Sequence, residues 1–90
     1  MDAFLKKAEG VLGTEKVKEL KREAYVAAQI KTKRKELGWS QQQLADRTGL
    51  QKSTIGRIEA GLNSPTIETI GLIAEELGED IIIPGKKETV

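Results

Sequence analysis

An all-α fold is predicted for this chain of 90 residues: a compact helical bundle with an N-terminal helical extension and one short C-terminal β-strand. Three features of the sequence predict it. Residues 14–37 and 65–77 repeat apolar side chains every three or four positions, the helical period. Residues 39–59, WSQQQLADRTGLQKSTIGRIE, read as two short helices joined at a glycine, each with its own start signal. Asp80–Ile83, closed by Pro84 and Gly85, is the one strand-like run.

Taken in order, Asp2–Glu9 predicts a short helix, with Gly10 and Gly13 flanking a turn. Thr14 then caps a long helical pattern that runs to Leu37 and stops at Gly38. Its apolar positions are Val17, Leu20, Ala24, Ala27, Ile30 and Leu37. At about 100° per residue, Val17 and Leu37 stand roughly 160° apart, so the two halves cannot bury one face. Either the helix breaks near Ala24–Ala28 or its first half packs on something other than the domain core, and a partner surface is the favoured reading. Ser40 is the N-cap of the next helix, with Gln43 completing a capping box and Trp39 and Leu44 forming a hydrophobic staple. Gly49 sits where the chain must leave that helix through a left-handed conformation. Leu50 and Ile55 repeat the staple around the second short helix. Ser64 and Pro65 predict a further start, with Pro at the first helical position. Ile67, Ile70, Ile73, Ala74 and Leu77 form its buried stripe and Gly78 ends it. Gly71 inside this helix costs about 1 kcal/mol, which predicts a close approach of another helix. A lone strand of Ile81, Ile82 and Ile83 has no ladder partner in its own subunit and predicts pairing between chains across a two-fold axis. The organisation expected is an extension over 1–23, a domain over 24–79, a dimerisation strand over 80–84 and a flexible tail over 85–90.

Composition narrows the chemistry. A single core this small is marginal without a partner, so a homodimer is expected. Cysteine and histidine are both absent, which excludes disulfides, the usual zinc sites and His-based catalysis. Glu75 and Glu76 point in different helical directions, and no activated nucleophile is in sight. An enzyme is therefore not expected, nor a cofactor or metal. No apolar run reaches about 18 residues and the N-terminus lacks a signal-peptide core, so a cytoplasmic location without membrane contact is expected. The net charge is only +1, but residues 16–36 carry eight of the fifteen basic groups. Residues 58–80 carry Glu59, Glu68, Glu75, Glu76, Glu79 and Asp80 with no Lys or Arg. Such asymmetry gives a positive end that can face phosphates and a negative end that should point away.

The facing of the second short helix carries the functional expectation. Ile55, Ile58 and Glu59 share one side; Lys52, Ser53, Gly56 and Arg57 share the other. A recognition helix of a helix-turn-helix needs this layout, with long donors near its N-terminus and small residues that admit the groove. An amphipathic helix with a solvated face is the alternative on periodicity alone.

Residues 30–78, with the basic helix ending Leu37-Gly38, Ser40-Gln41, Leu44-Ala45, Gly49, Ile55, Ile58-Glu59, Gly61, Pro65 and Thr69-Ile70, resemble the Cro/C1-type (XRE) helix-turn-helix family, whose fold is the lambda-repressor-like bundle. The resemblance implies a dimer bound to double-stranded operator DNA. It implies that Gln41 holds a backbone phosphate and that Gln51, Lys52, Ser53 and Arg57 face bases or nearby phosphates; Thr54 and Lys33 are expected as further DNA contacts. It also implies a shielded structural ion pair between Arg34 and Glu59, which agrees with the core-side placement of Glu59. Gln51 stands where the family often has a Ser or Thr cap, Gly56 replaces a bulkier residue, and Leu62–Ser64 lacks a phosphate-gripping cation. The segment Lys21–Ile30 and the isoleucine run further resemble HigA-type antitoxins. That implies a RelE/HigB-like RNA-cleaving toxin as partner, with Val17, Leu20, Ala24 and Ala27 as candidate toxin contacts, and repression of the chain's own operon. A stand-alone Cro/repressor-type regulator is the alternative, and a protein-binding adaptor a more distant one.

Overall fold

The computed structural model describes residues 14–85, with side chains from Lys21 onward. Among the described residues there are four helices: α1 (Thr14–Glu36), α2 (Gln41–Thr48), α3 (Lys52–Glu59) and α4 (Ile67–Leu77). The helix expected over Asp2–Glu9 and the tail Lys86–Val90 lie outside the described residues. No helix among those described is long and apolar enough to cross a membrane.

Helix α1 runs unbroken through Ala24–Ala28. It buries Val26, Ala27, Ile30 and Arg34, positions spaced by one, three and four residues and hence on one stripe. The apolar spacing finds Ala27 and Ile30 but misses the rest of this stripe for a physical reason. Its last member is an arginine, while Ala24 and Leu37, assigned to it from hydrophobicity, are exposed. Ala27 lies in the core and is closed to any partner, which removes it from the candidate toxin contacts. The side chains of Val17 and Leu20 lie outside the described set.

Between α1 and α2 the chain turns through Gly38, and Trp39 N–H donates to the Arg34 carbonyl at 3.0 Å. Both halves of the capping box form at α2: Gln43 N–H donates to Ser40 Oγ at 3.0 Å, and Ser40 N–H to Gln43 Oε1 at 2.7 Å. Gly49 closes α2 at φ 78°, its N–H on the Ala45 carbonyl. A side chain at that φ costs roughly 1 kcal/mol or more, which is why the turn uses glycine. Leu44, Ala45, Ile55, Ile58, Ile73 and Leu77 meet Val26 and Ile30 in one core, with Trp39, Leu50 and Ile81 packed against it. Helix α3 packs on α1 and α2, and α4 closes the other side of the same two helices.

Three sequence expectations for α4 are corrected. Helix α4 starts at Ile67, not at Pro65, because Thr66 is the N-cap and its hydroxyl accepts from Thr69 N–H. Ser64 instead donates to the Glu23 carboxylate, tying the preceding loop to α1. Ile67 then falls outside the buried stripe and is 77 % exposed. Gly71 makes no close approach: a Cβ added there meets nothing within 4 Å. Gly71→Ala is therefore expected to raise stability by about 1 kcal/mol through helix propensity, measured as a higher urea midpoint at unchanged m. A lower midpoint would contradict the open environment.

The strand expected at Ile81, Ile82 and Ile83 is absent among the described residues. A strand needs a second backbone, and here a side chain takes its place. Gln29 Oε1 accepts from Ile82 N–H at 2.8 Å while Gln29 Nε2 donates to the Ile82 carbonyl at 2.6 Å. Two turns earlier on α1, Arg22 Nε donates to the Pro84 carbonyl at 3.2 Å. Residues 79–84 thus lie along α1 as an antiparallel strap, with Ile81 turned to the core and Ile82 and Ile83 exposed.

Candidate nucleic-acid interface

Helix α3 owes its orientation to tertiary contacts. At eight residues it is too short to persist alone in water, and its N-cap Gln51 makes no side-chain capping hydrogen bond. Ile55 and Ile58 anchor it in the core. The opposite side carries Gln51, Lys52, Ser53 and Arg57, all exposed, with Thr54 and Gly56 half-buried beside them. Gln51, released from capping, accepts only a long 3.4 Å contact from Ser53 Oγ.

A second anchor is electrostatic. Arg34 Nε donates to Glu59 Oε2 at 2.7 Å and Arg34 Nη2 to Glu59 Oε1 at 2.9 Å, a two-pronged pair whose side chains are 9 % and 3 % exposed. Arg34 Nη1 donates to the Trp39 carbonyl at 2.7 Å. The hydrogen bond to Glu59 pushes the Arg34 guanidinium pKa further up, against the opposing effect of burial. Because the folded value is raised, this contribution is complete below the unfolded value and is lost only as pH rises through the folded one. The arginine side of the pair therefore adds no pH dependence across the ordinary range. It joins the end of α1, the entry to α2 and the end of α3.

Gln41 adds a fourth member, since its Nε2 donates to Glu59 Oε1 at 3.2 Å. The same carboxamide lies over α3: a Cβ added at Gly56 would meet Gln41 Oε1 at 3.7 Å, an ordinary contact. The protein's own packing thus does not demand glycine at 56. The structure brings Gln41 to the α3 face that carries Gln51, Lys52, Ser53, Thr54 and Arg57. It does not bring Lys33 there, because Lys33 Nζ stands 3.8 Å from both Glu36 and Glu79, at the end of α4. One cation escaped the sequence reading: Arg47 lies over the Trp39 ring, 4.1 Å from its centroid. The signal was available, as Arg47 follows the staple residue by two helical turns.

On its exposed side α3 presents two cations and no carboxylate, while Glu68, Glu75, Glu76, Glu79 and Asp80 belong to α4 and the turn after it. Such a face attracts anions, and its long donors have the reach to hydrogen-bond them.

Comparison with known proteins finds the same unit elsewhere. SutR, an HTH-type transcriptional regulator of Escherichia coli K12, is 38% identical over 53 residues, 59% of this chain and 30% of SutR. An uncharacterised HTH-type transcriptional regulator of Methanothermobacter thermautotrophicus is 43% identical over 58 residues, 60% of this chain and 84% of that protein. The crystal structure of an HTH_3 family transcriptional regulator from Vibrio cholerae superposes with a TM-score of 0.66 at 36% identity, over 70% of this chain and 35% of that one. The chain thus spans only about a third of SutR and of the Vibrio protein. Residues 30–82 match the helix-turn-helix family HTH_3, and the chain belongs to that family.

Proposed function

We propose that the chain is a sequence-specific DNA-binding transcriptional regulator that acts as a dimer and represses its operon. The observation that carries this reading is the exposed Gln51–Arg57 face of α3, held at a fixed angle by Ile55, Ile58 and the Arg34–Glu59 pair. Each subunit lays α3 in a major groove, with half-sites about 34 Å apart for adjacent turns. Arg57 and Lys52 read guanine edges, Gln51, Ser53 and Thr54 reach bases or flanking phosphates, and Gln41 holds a phosphate at the α2 N-terminus. Gly56 leaves room for the groove to approach.

The test is selection of bound fragments from randomised DNA by the full chain, followed by titration of the selected site. A palindromic site is expected, with log K falling against log salt by about 0.9 per neutralised phosphate. Arg57→Ala should lose roughly 1–3 kcal/mol of discrimination at one base pair per half-site, whereas Gln41→Ala should weaken all sequences alike. Unchanged affinity and preference in Arg57→Ala would remove α3 as the reading element.

A second role, neutralising a RelE/HigB-like ribonuclease toxin as HigA-type antitoxins do, is favoured by one observation. Helix α1 begins well ahead of Val26, its first core residue, and Ala24 is exposed there. Co-purification with a stoichiometric basic protein from the host would support this role, and recovery of the chain alone would leave the regulator reading.

A further inference from the structure

We infer that the outer stripe of α1, together with the strap, is the surface on which a second copy of the chain docks, antiparallel about a two-fold axis near Gln29. This deepens the dimer part of the reading above and rests on it. The stripe runs through Arg22, Tyr25, Ala28, Gln29, Thr32 and Glu36, positions spaced by three or four residues on one side of α1. Five of these, from Tyr25 to Glu36, line an open groove whose other wall is the strap.

The stripe is apolar in the middle and charged at its ends. Tyr25 is 48 % exposed and Ile82 58 % exposed, with Ala28 exposed between them. Apolar side chains left open together on one patch are what a contact surface presents. Arg22 marks one end. At the other, Glu36, Glu79 and Asp80 outnumber Lys33, which bridges two of them.

This layout selects its occupant. A uniformly basic protein would be repelled at the Arg22 end, and a uniformly acidic one at the Glu36 end. A surface that is positive at one end and negative at the other is complementary to itself when reversed, and a two-fold axis supplies that reversal. Arg22 and Glu36 lie equally far from Gln29 along the sequence, about 10 Å each way at the helical rise. An axis at Gln29 therefore sets Arg22 of one copy over Glu36 of the other, twice, and stacks Tyr25 and Ile82 of both copies between the two charged contacts. The strap is part of the surface, since the Gln29 carboxamide fixes Ile82 on it.

Sedimentation equilibrium of the full chain without DNA tests this independently of operator reading. The wild-type chain should dimerise below about 100 µM and more weakly as salt rises. Arg22→Glu and Glu36→Arg should each weaken the dimer about tenfold or more, and the double exchange should return it to within roughly threefold of wild type. Ala28→Arg, which puts a cation beside the axis and leaves the strap contacts intact, should also dissociate it. A wild-type monomer, single variants that dimerise normally, a double exchange no tighter than the singles, or an Ala28→Arg dimer would each overturn the assignment. A monomer that still selects a single half-site would leave DNA recognition standing and refute only the surface.

Discussion

Glu59→Ala is expected to destabilise the chain by about 3–5 kcal/mol, because it leaves the Arg34 guanidinium buried with one carbonyl partner instead of a two-pronged carboxylate. Arg34 is 7 % exposed as a whole residue, so water cannot replace the lost oxygens without opening the joint between α1 and α3. Nor can the group shed its charge, since arginine stays protonated at every pH at which the protein folds. Domains of this size have a total stability near the low end of about 5–15 kcal/mol, so a large share of the variant should be unfolded at 37 °C. Urea titration at low temperature reads the difference directly. The paired replacement Arg34→Met with Glu59→Leu separates a need for charge from a penalty for leaving one unpaired, and it should recover most of the loss. Were Glu59→Ala to melt at the wild-type midpoint, the pair would be a surface bridge of little weight.

The same pair shows where reading a sequence succeeds and where it stops. Ser40, Gln43 and Gly49 were legible because each acts on a neighbour within four residues, and local hydrogen bonds leave local patterns. The inner face of α3 was legible for the same reason, since Ile55 and Ile58 follow the helical period. The inner face of α1 was legible only in part, at Ala27 and Ile30. Its stripe ends in Arg34, whose burial depends on Glu59, 25 residues away, and hydropathy alone places Ala24 and Leu37 where Val26 and Arg34 belong. Ile81–Ile83 failed similarly. Its composition suits a strand, but its register partner is the Gln29 carboxamide, 53 residues distant, and no pattern within the isoleucine run announces a side chain in the role of a backbone. Pro65 misled at α4 because Thr66, one residue on, can cap as well and does. At the candidate site, the α3 face could be drawn from periodicity. The Gln41 bond to Glu59 and the diversion of Lys33 to Glu36 and Glu79 needed the fold.

Ile55→Ala should be comparably severe, at about 2–5 kcal/mol, and should strike at recognition more directly. Ile55 is fully buried at 0 % exposure, in the middle of a helix that has no side-chain cap at its start. An eight-residue helix of this kind holds its shape only through what it packs on. Three contacts do this for α3: Ile55, Ile58 and Glu59. Removing Ile55 opens a cavity beneath the turn that carries Lys52 and Ser53, and the remaining two anchors lie toward the other end. The first turn should then loosen before the rest of the domain. Amide exchange at Thr54 and at position 55 is expected to accelerate more than at Ile30 or Ile73, and affinity for the selected DNA should fall even at temperatures where the variant is fully folded. Ile55→Val keeps most of the volume and should cost only about 1 kcal/mol, with binding largely retained. If Ile55→Ala lost stability uniformly while its folded fraction bound DNA as tightly as wild type, the first turn of α3 would be held by something other than the core.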